Sequence, residues 1–414
     1  MSTAAPARSR TPLSRRATFW SASSVLALCL WASAAASVLY PSYEAKWQLS
    51  SVVVTSVFGT YPVALLLVLL FFGGVSDFIG RRRTMLLGIA LIALSAVVFA
   101  LAPNVGWLFV ARTLQGFGTG FAIGAASARL VENNISSNPR FASSMTTAST
   151  AAGLTLALLL SGLLAQLAPL PLVLSFVLLF VLSVSSFVFV ALTPDDRPAS
   201  TGARWRPQAL HLAGGTVRPF ILATISVSVA YSVGALFLSL GSSMAHQLTH
   251  TSNLIVIGAT LALSSAVIGI TALLIQRIHA HLAIVLGGAV SIAGLALMAA
   301  TASSGSLGIL LLWAFVGGVG YSLAFTGGLS LLARTTPNEH RGATLSLLYL
   351  FSYLLQAATA IGAGALATAI GLGSAIGVVA PIVGLLCLAA IVLAAIDFAG
   401  RRRPAAPVAA VSPR

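Results

Sequence analysis

Charge is what this sequence lacks. Only 7% of its 414 residues are charged, and seven of those are acidic. A water-soluble domain carries about 25% charged residues, so this chain could not cover its own surface in water. Soluble enzymes and soluble binding modules are thereby excluded. Cysteine is scarce too. Cys29 and Cys387 stand far apart inside apolar stretches, which excludes a disulfide framework and leaves no cysteine spacing for zinc. His, Asp, Glu, Ser and Cys nowhere cluster within catalytic reach, so no enzyme, cofactor or metal site is expected.

What fills the chain instead is apolar. Hydrophobic residues make up 58% of it, and the mean hydropathy is +1.01. Lipid is the solvent that fits. A helix needs about 20 mostly apolar residues to cross the ~30 Å hydrocarbon core. Twelve runs qualify, at 19–40, 51–74, 84–102, 107–130, 143–166, 172–192, 216–240, 253–276, 282–302, 306–332, 342–369 and 374–397. Turn or charge signals separate them, as at Tyr40-Pro41-Ser42-Tyr43-Glu44, Pro103-Asn104 and Thr336-Pro337-Asn338-Glu339. Arginines precede the first run, and its Ala32-Ser33-Ala34 resembles a cleavage site. Its length, and the eleven runs behind it, favour a retained first helix over a signal peptide.

The basic residues fix an orientation. With the N-terminus inside and twelve alternating spans, both termini and the even-numbered loops are cytoplasmic. Those segments hold Arg8, Arg10, Arg15, Arg16, Arg81, Arg82, Arg83, Arg129, Arg140, Arg197, Arg204, Arg206, Arg218, Arg277, Arg334, Arg341, Arg401, Arg402, Arg403 and Arg414, which is 20 of the 22 basic residues. Only Lys46 falls outside, and only Arg112 falls within a span. Losing one middle helix would put the later arginines on the wrong side. The net charge of +15 therefore reports topology and contact with anionic membrane lipid, and nucleic acid is not an expected partner.

A polar stretch opens at Thr193-Pro194-Asp195-Asp196-Arg197-Pro198 and divides the spans six and six. The expected layout is a cytoplasmic tail at 1–18, a six-helix bundle at 19–192, a cytoplasmic loop at 193–215, a second bundle at 216–397 and a cytoplasmic tail at 398–414. The fold class is an all-α membrane protein of twelve transmembrane helices in two six-helix bundles. Two equal helical halves are the pattern of secondary transporters built from repeats.

The loop after the second span reads Gly73-Gly74-Val75-Ser76-Asp77-Phe78-Ile79-Gly80-Arg81-Arg82-Arg83. Its pattern, Gly-x-x-x-Asp-x-x-Gly-Arg-Arg-Arg, resembles the signature loop of the major facilitator superfamily, and it sits where that family has it. Physical sense supports the residues. Gly73 would permit close helix approach and Gly80 a sharp turn, while Asp77 could cap the following helix or pair with an arginine. The resemblance implies that this loop locks the two halves together on the cytoplasmic side, with Asp77 and Arg81 making the lock. For Arg81, Arg82 and Arg83 the alternative is that they only fix topology. Glu132, at the cytoplasmic end of the fourth span, is the acid the family often joins to this network, and it would pair with Arg81; a solvated helix end is its alternative. The equivalent loop in the second half, Gln276-Arg277-Ile278-His279-Ala280-His281, lacks the acid and the Gly-Arg pair. No equal lock is expected there.

Arg112-Thr113-Leu114-Gln115-Gly116 on the fourth span resembles the family's Arg-x-x-Gln-Gly motif. A charge within the membrane is a functional hypothesis by default, and the resemblance implies proton coupling or binding for Arg112 and Gln115. The competing reading is an arginine snorkelling to the outer interface. The seven acids are Glu44, Asp77, Glu132, Asp195, Asp196, Glu339 and Asp397, and none lies mid-span. Glu44, just beyond the first span, is the nearest candidate for taking up a proton. His246 and His250, four apart at the outer end of the seventh span, would share one helix face. The fifth span has glycines but not the Gly-Pro pair of the family's drug–proton antiporters.

In this family the first, fourth, seventh and tenth helices line the cavity. Trp31 on the first and Thr224, Ser228, Tyr231 and Phe237 on the seventh are therefore candidate lining residues. So are Trp313, Tyr321 and Phe325 on the tenth, and Tyr349, Tyr353 and Gln356 share one face of the eleventh. Gly317, Gly318 and Gly320 would allow the tenth helix to pack closely or bend. Such aromatic stripes also occur as plain packing. Read together, they describe an apolar, aromatic cavity suited to a neutral or cationic amphiphile. The expected function is secondary transport of a small amphiphilic molecule by alternating access. Efflux is the favoured direction, the proton is the candidate coupling ion, and the protein is expected to act as a monomer. Import of a sugar or organic acid on the same fold is the alternative.

Overall fold

The computed structural model describes residues 14–138, 140–195, 216–337 and 341–401. Arg8, Arg10, Asp196, Arg197, Arg204, Arg206, Glu339, Arg402, Arg403 and Arg414, with most of the expected tails and central loop, lie outside the described residues.

Among the described residues the structure is helical throughout. The first half comprises α1 (Arg15–Ala34), α2 (Tyr40–Trp47), α3 (Ser51–Phe72), α4 (Val75–Ile79), α5 (Arg81–Ala100), α6 (Val105–Glu132), α7 (Arg140–Leu167) and α8 (Leu174–Ala191). The second comprises α9 (Val217–Leu248), α10 (Leu254–Leu274), α11 (Ala280–Ser304), α12 (Leu307–Thr335), α13 (Arg341–Ile370) and α14 (Leu372–Arg401). Setting aside the short α2 and α4, twelve long helices remain, as the hydropathy implied. Eleven spans are long and apolar enough to cross a membrane, the first of them counted through α2. The twelfth, α6, is diluted by Arg112, Gln115 and its glycines. Leu94, Val181, Leu274 and Leu385 are at least half exposed around the outside. Such a surface is tolerable only against lipid tails.

Two element ends differ from the sequence reading. The first span stops at Ala34, passes through a 3₁₀ turn at Ser37–Leu39 and restarts as α2, so the stretch read as a turn is helical. Pro41 lies in the first turn of α2, where its missing N–H costs nothing and its fixed φ favours helix. The seventh span continues to Leu248 because Gly241-Ser242-Ser243-Met244-Ala245 stays buried. At 32 residues it is ~48 Å long, more than a bilayer core. His250 therefore falls past the helix end at φ +53°, and it shares no helical face with His246.

Each half closes on its own helices, and the halves meet where α7 runs beside α10 and α3 beside α13. One end of this seam is tied by the Val52 N–H donating to Thr368 Oγ1 at 2.9 Å and the Leu254 N–H donating to Gln166 Oε1 at 2.8 Å. At the other end, the arginine-rich face, Gln276 Nε2 donates to Ser144 Oγ at 3.1 Å. Between them Gly162 and Gly258 bring the α7 and α10 backbones together. In the second half, Gly317 packs on Gly294 of α11, Gly318 against α10 and Gly320 against Ser291 of α11. The tenth-span glycines thus serve close packing against α10 and α11.

Candidate functional site

At the loop between α3 and α5 the backbone turns on Gly80, whose φ of +95° and ψ of 146° suit glycine almost alone. That turn sets Arg81 beside α4. Its guanidinium donates to the Asp77 carboxylate and to Ser76 Oγ at 2.7 Å, and its Nε donates to Glu132 Oε1 at 3.3 Å. Asp77, Arg81 and Glu132 are thus brought together, all within the first half. Asp77 pairs and does not cap, since no side chain caps α5. Gly73 does not bridge two helices: a Cβ there would strike Leu69 O of its own preceding turn.

The next two arginines act elsewhere. Arg82 donates to Val190 O at 3.3 Å and to Ala191 O, and Arg83 lies 3.8 Å from Asp195. Arg129, counted above only as a topology marker, is buried and donates to Thr193 Oγ1 at 3.0 Å and Pro194 O at 2.8 Å. Three guanidiniums therefore gather on the C-terminal end of α8, where free carbonyls and the helix dipole attract cations. Arg129 sits 64 residues from Thr193, so no local pattern shows the pairing.

Arg112 is fully buried, which rules out snorkelling. It donates to Ser33 O at 2.9 Å, to Gln115 Oε1 at 3.1 Å and to the hydroxyl of Tyr40. Its Cζ lies 5.9 Å from the Tyr40 ring, 5.8 Å from Tyr61 and 6.0 Å from Phe99. Tyr40, Tyr61 and Phe99 were not among the sequence candidates. The helical restart at Tyr40 is what aims its hydroxyl inward.

Glu44 stands apart from Arg112. Its Oε1 accepts from Ser243 Oγ on α9 at 3.2 Å, with His246 and Gln247 alongside, so it links the two halves at the face opposite the arginines.

Across the seam, five expected lining residues form one cluster. The Tyr231 ring lies 4.8 Å from Tyr353, 5.9 Å from Phe325 and 6.5 Å from Tyr321, and Tyr349 lies 6.0 Å from Tyr353. Tyr349 and Tyr353 lie on α13, which packs against α3, the helix that carries Tyr61, so the cluster lies on the side of the Arg112 layer. Ser228 beside it donates to Ser352 Oγ at 3.2 Å. Phe237 and Trp313 instead form a separate edge-on pair 4.7 Å apart. Trp31, Thr224 and Gln356 are placed with a buried polar atom lacking a hydrogen-bond partner: Nε1, Oγ1 and Oε1 respectively.

The loop of the second half gives Gln276 its inter-half bond. It also leads to His281, whose Nε2 lies 2.7 Å from Asp397 Oδ2 beside a recess of about 290 Å³. Among the described residues no three His, Cys, Asp or Glu side chains are grouped to hold a metal.

Against known proteins, residues 22–303 match the sequence profile of the Major Facilitator Superfamily. An uncharacterized transporter of Rickettsia bellii (strain RML369-C) is 39% identical over 71 residues, 17% of this chain and 18% of that protein. The D-xylose-proton symporter-like 3 protein, chloroplastic, of Arabidopsis thaliana is 39% identical over 59 residues, 14% of this chain and 11% of its own length. This chain thus spans less than a fifth of either relative. Among solved structures, a peptide transporter aligns with a TM-score of 0.72 and 16% identity, covering 92% of this chain and 94% of that one. The nucleoside transporter NupG, in a mutant form, aligns at 0.71 and 12%, covering 92% and 100%. A bacterial homolog of the human lysosomal transporter Spinster, inward-facing and unoccupied, aligns at 0.66 and 13%, covering 93% and 95%. Identities this low bear on the fold alone.

Proposed function

Because this chain belongs to the major facilitator superfamily and carries, among its described residues, eleven helices long and apolar enough to cross a membrane, we propose that it is a secondary transporter that moves a small amphiphilic molecule by alternating access and that its working direction is export. The observation that carries this reading is the tyrosine cluster around Tyr231. It lies on the second half, and α13, which carries Tyr349 and Tyr353, packs at the seam against α3, which carries Tyr61. A site at the interface of two repeats is where rocking halves expose a ligand first to one side and then to the other. Aromatic walls with hydroxyl tips suit a molecule that is apolar over most of its surface.

Under this reading the membrane is the cytoplasmic one and the arginine-rich face, with both termini, is inside. The protein works as a monomer in contact with anionic lipid. The Asp77–Arg81–Glu132 cluster is the gate of that face. In the present structure it is assembled within one half, ready to meet the other. Asp77 is exposed, and an exposed ion pair is worth about 0–1 kcal/mol, so Asp77→Asn leaves the fold intact while impairing the cycle. The test is susceptibility to a panel of toxic amphiphiles in a strain lacking the gene. Wild type restores resistance and Asp77→Asn does not; equal behaviour of the two removes the gate. Import of a sugar or organic acid is the second reading, favoured by the name of the xylose symporter-like relative. It gains ground if the wild type instead raises susceptibility.

For coupling, Glu44 is the candidate proton carrier, since it bridges the halves where they must part. Glu44→Gln keeps an acceptor for Ser243 and removes the charge. Flux in proteoliposomes then loses its dependence on a pH gradient; if wild-type flux ignores the gradient, the proton is not the coupling ion.

A further inference from the structure

The Arg112 layer carries a positive charge that no carboxylate among the described residues balances. A guanidinium remains charged under all physiological conditions. Arg112 is fully buried, and its hydrogen bonds go to one backbone carbonyl, one amide and one phenol. Of the described carboxylates none reaches it: Glu44 turns to Ser243, Asp77 and Glu132 to Arg81, Asp195 lies beside Arg83, and Asp397 beside His281. The faces of Tyr40, Tyr61 and Phe99 offset part of the charge through their quadrupoles. They cannot replace a counter-ion, because a buried charge is tolerated only when it is paired.

Donors are left over as well. Arg112 Nε and Gln115 Nε2 are both buried and neither has a hydrogen-bond partner. These are an arginine N–H and an amide N–H three residues apart on one helix, each without an acceptor, on side chains already joined by the bond from Arg112 to Gln115 Oε1. A carboxylate accepts two such bonds at once, and arginine is the side chain best shaped to give them.

We propose that the ligand of this site is an amphiphilic organic anion, whose carboxylate is taken by Arg112 and Gln115 and whose apolar or aromatic body lies against the tyrosine cluster of Tyr231, Tyr321 and Tyr353. Tyr61 marks the junction, its ring 5.8 Å from Arg112 and its helix α3 packed against α13, which carries Tyr353. This replaces the cation suggested by the aromatic composition alone. A cation would be repelled by Arg112, and a neutral molecule would leave its charge as it is now. The inference rests on the transport reading only in calling the ligand a substrate; the anion site itself is a matter of binding.

The experiment is thermal unfolding of the purified full chain in nanodiscs, since a ligand that binds the folded state raises its melting temperature. The probes are 4-phenylbutyrate, 4-phenylbutylamine and 4-phenylbutanol, which share one body, and acetate, which lacks it. The expected result is a saturable rise with phenylbutyrate and none with the amine, the alcohol or acetate. Gln115→Ala weakens phenylbutyrate by about 10-fold. Arg112→Met abolishes its effect; the variant also gives up the hydrogen bonds to Ser33, Gln115 and Tyr40, so the readout is the ligand-induced shift and not its own melting temperature.

The proposal is overturned if the amine or alcohol stabilises as well as the acid, if acetate matches phenylbutyrate, or if phenylbutyrate has no effect. It is also overturned if Arg112→Met keeps the response. Should that variant fail to fold, Gln115→Ala decides: unchanged phenylbutyrate affinity reduces Arg112 to a structural tie between α1 and α6. Binding without phenylbutyrate flux in proteoliposomes counts against the transport reading and leaves the anion site standing.

Discussion

Replacing Gly162 by alanine tests whether the seam between α7 and α10 parts during the working cycle. A Cβ at Gly162 would lie 2.5 Å from Leu254 O and 3.2 Å from the Cα of Gly258. Both are backbone atoms, so no side-chain rotation relieves the clash. A relaxed carbon–oxygen contact is about 3.3 Å, so the two helices must move apart by about 0.8 Å. Overpacking of this kind costs about 1–3 kcal/mol. The cost falls only on states in which the two helices touch here. The equilibrium therefore shifts toward a state open at this end by about 5–150-fold. The neighbouring bond from Leu254 N–H to Gln166 lengthens with it. The assay is alkylation of an engineered Ala165→Cys by a membrane-impermeant maleimide. Ala165 is buried and one turn along from Gly162, and the native Cys29 and Cys387 are both buried. Labelling in the Gly162→Ala background should be faster by at least about fivefold, with the melting temperature little changed. An unchanged labelling rate in a well-folded variant would mean that this contact survives the whole cycle, and the seam would have to be a fixed hinge.

Other outcomes follow from single residues. Arg129→Met removes two charge-assisted hydrogen bonds to Thr193 and Pro194, each worth about 1.5–3 kcal/mol. It should lower the melting temperature further than Arg82→Met, whose side chain is only half-buried; a smaller fall for Arg129→Met refutes its role as the main clamp on α8. Gly80→Ala forces a side chain into a backbone conformation that costs about 1–3 kcal/mol. The expected consequence is a mispositioned Arg81 and lost transport with a modest stability change, read by flux and unfolding side by side.

The helices were legible because their signal is local: about 20 apolar residues in a row, with arginines on alternate loops. Composition and the Asp77 loop together pointed to the family, and the Asp77–Arg81–Glu132 cluster followed from the resemblance. What escaped the sequence was pairing over distance. Arg129 and Arg82 meet the end of α8 from 64 and 109 residues away. Tyr40, 72 residues from Arg112, stood in a stretch whose proline and polar residues read as a turn. The buried serines of α9 looked like a helix end because hydropathy counts hydroxyls as polar, although Ser239, Ser242 and Ser243 are buried within the helix and Ser243 donates to Glu44 of the other half. None of the acids lies mid-span, and only the structure showed that this leaves Arg112 without a carboxylate partner among the described residues.

The arginines on the end of α8 also bear on how this chain is held together. The last helix of the first half is fastened to its own neighbours by Arg82, Arg83 and Arg129, before the chain departs toward the second half. The covalent connection that follows is thus not needed to keep α8 in place. A gene divided after Asp195 should give two fragments that insert independently and reassociate along the seam when coexpressed. On the proposed gating role, Arg81 to Arg83 are a mooring as much as a gate: Arg81 would belong to the moving contact, while the two residues after it tie that contact to the end of α8.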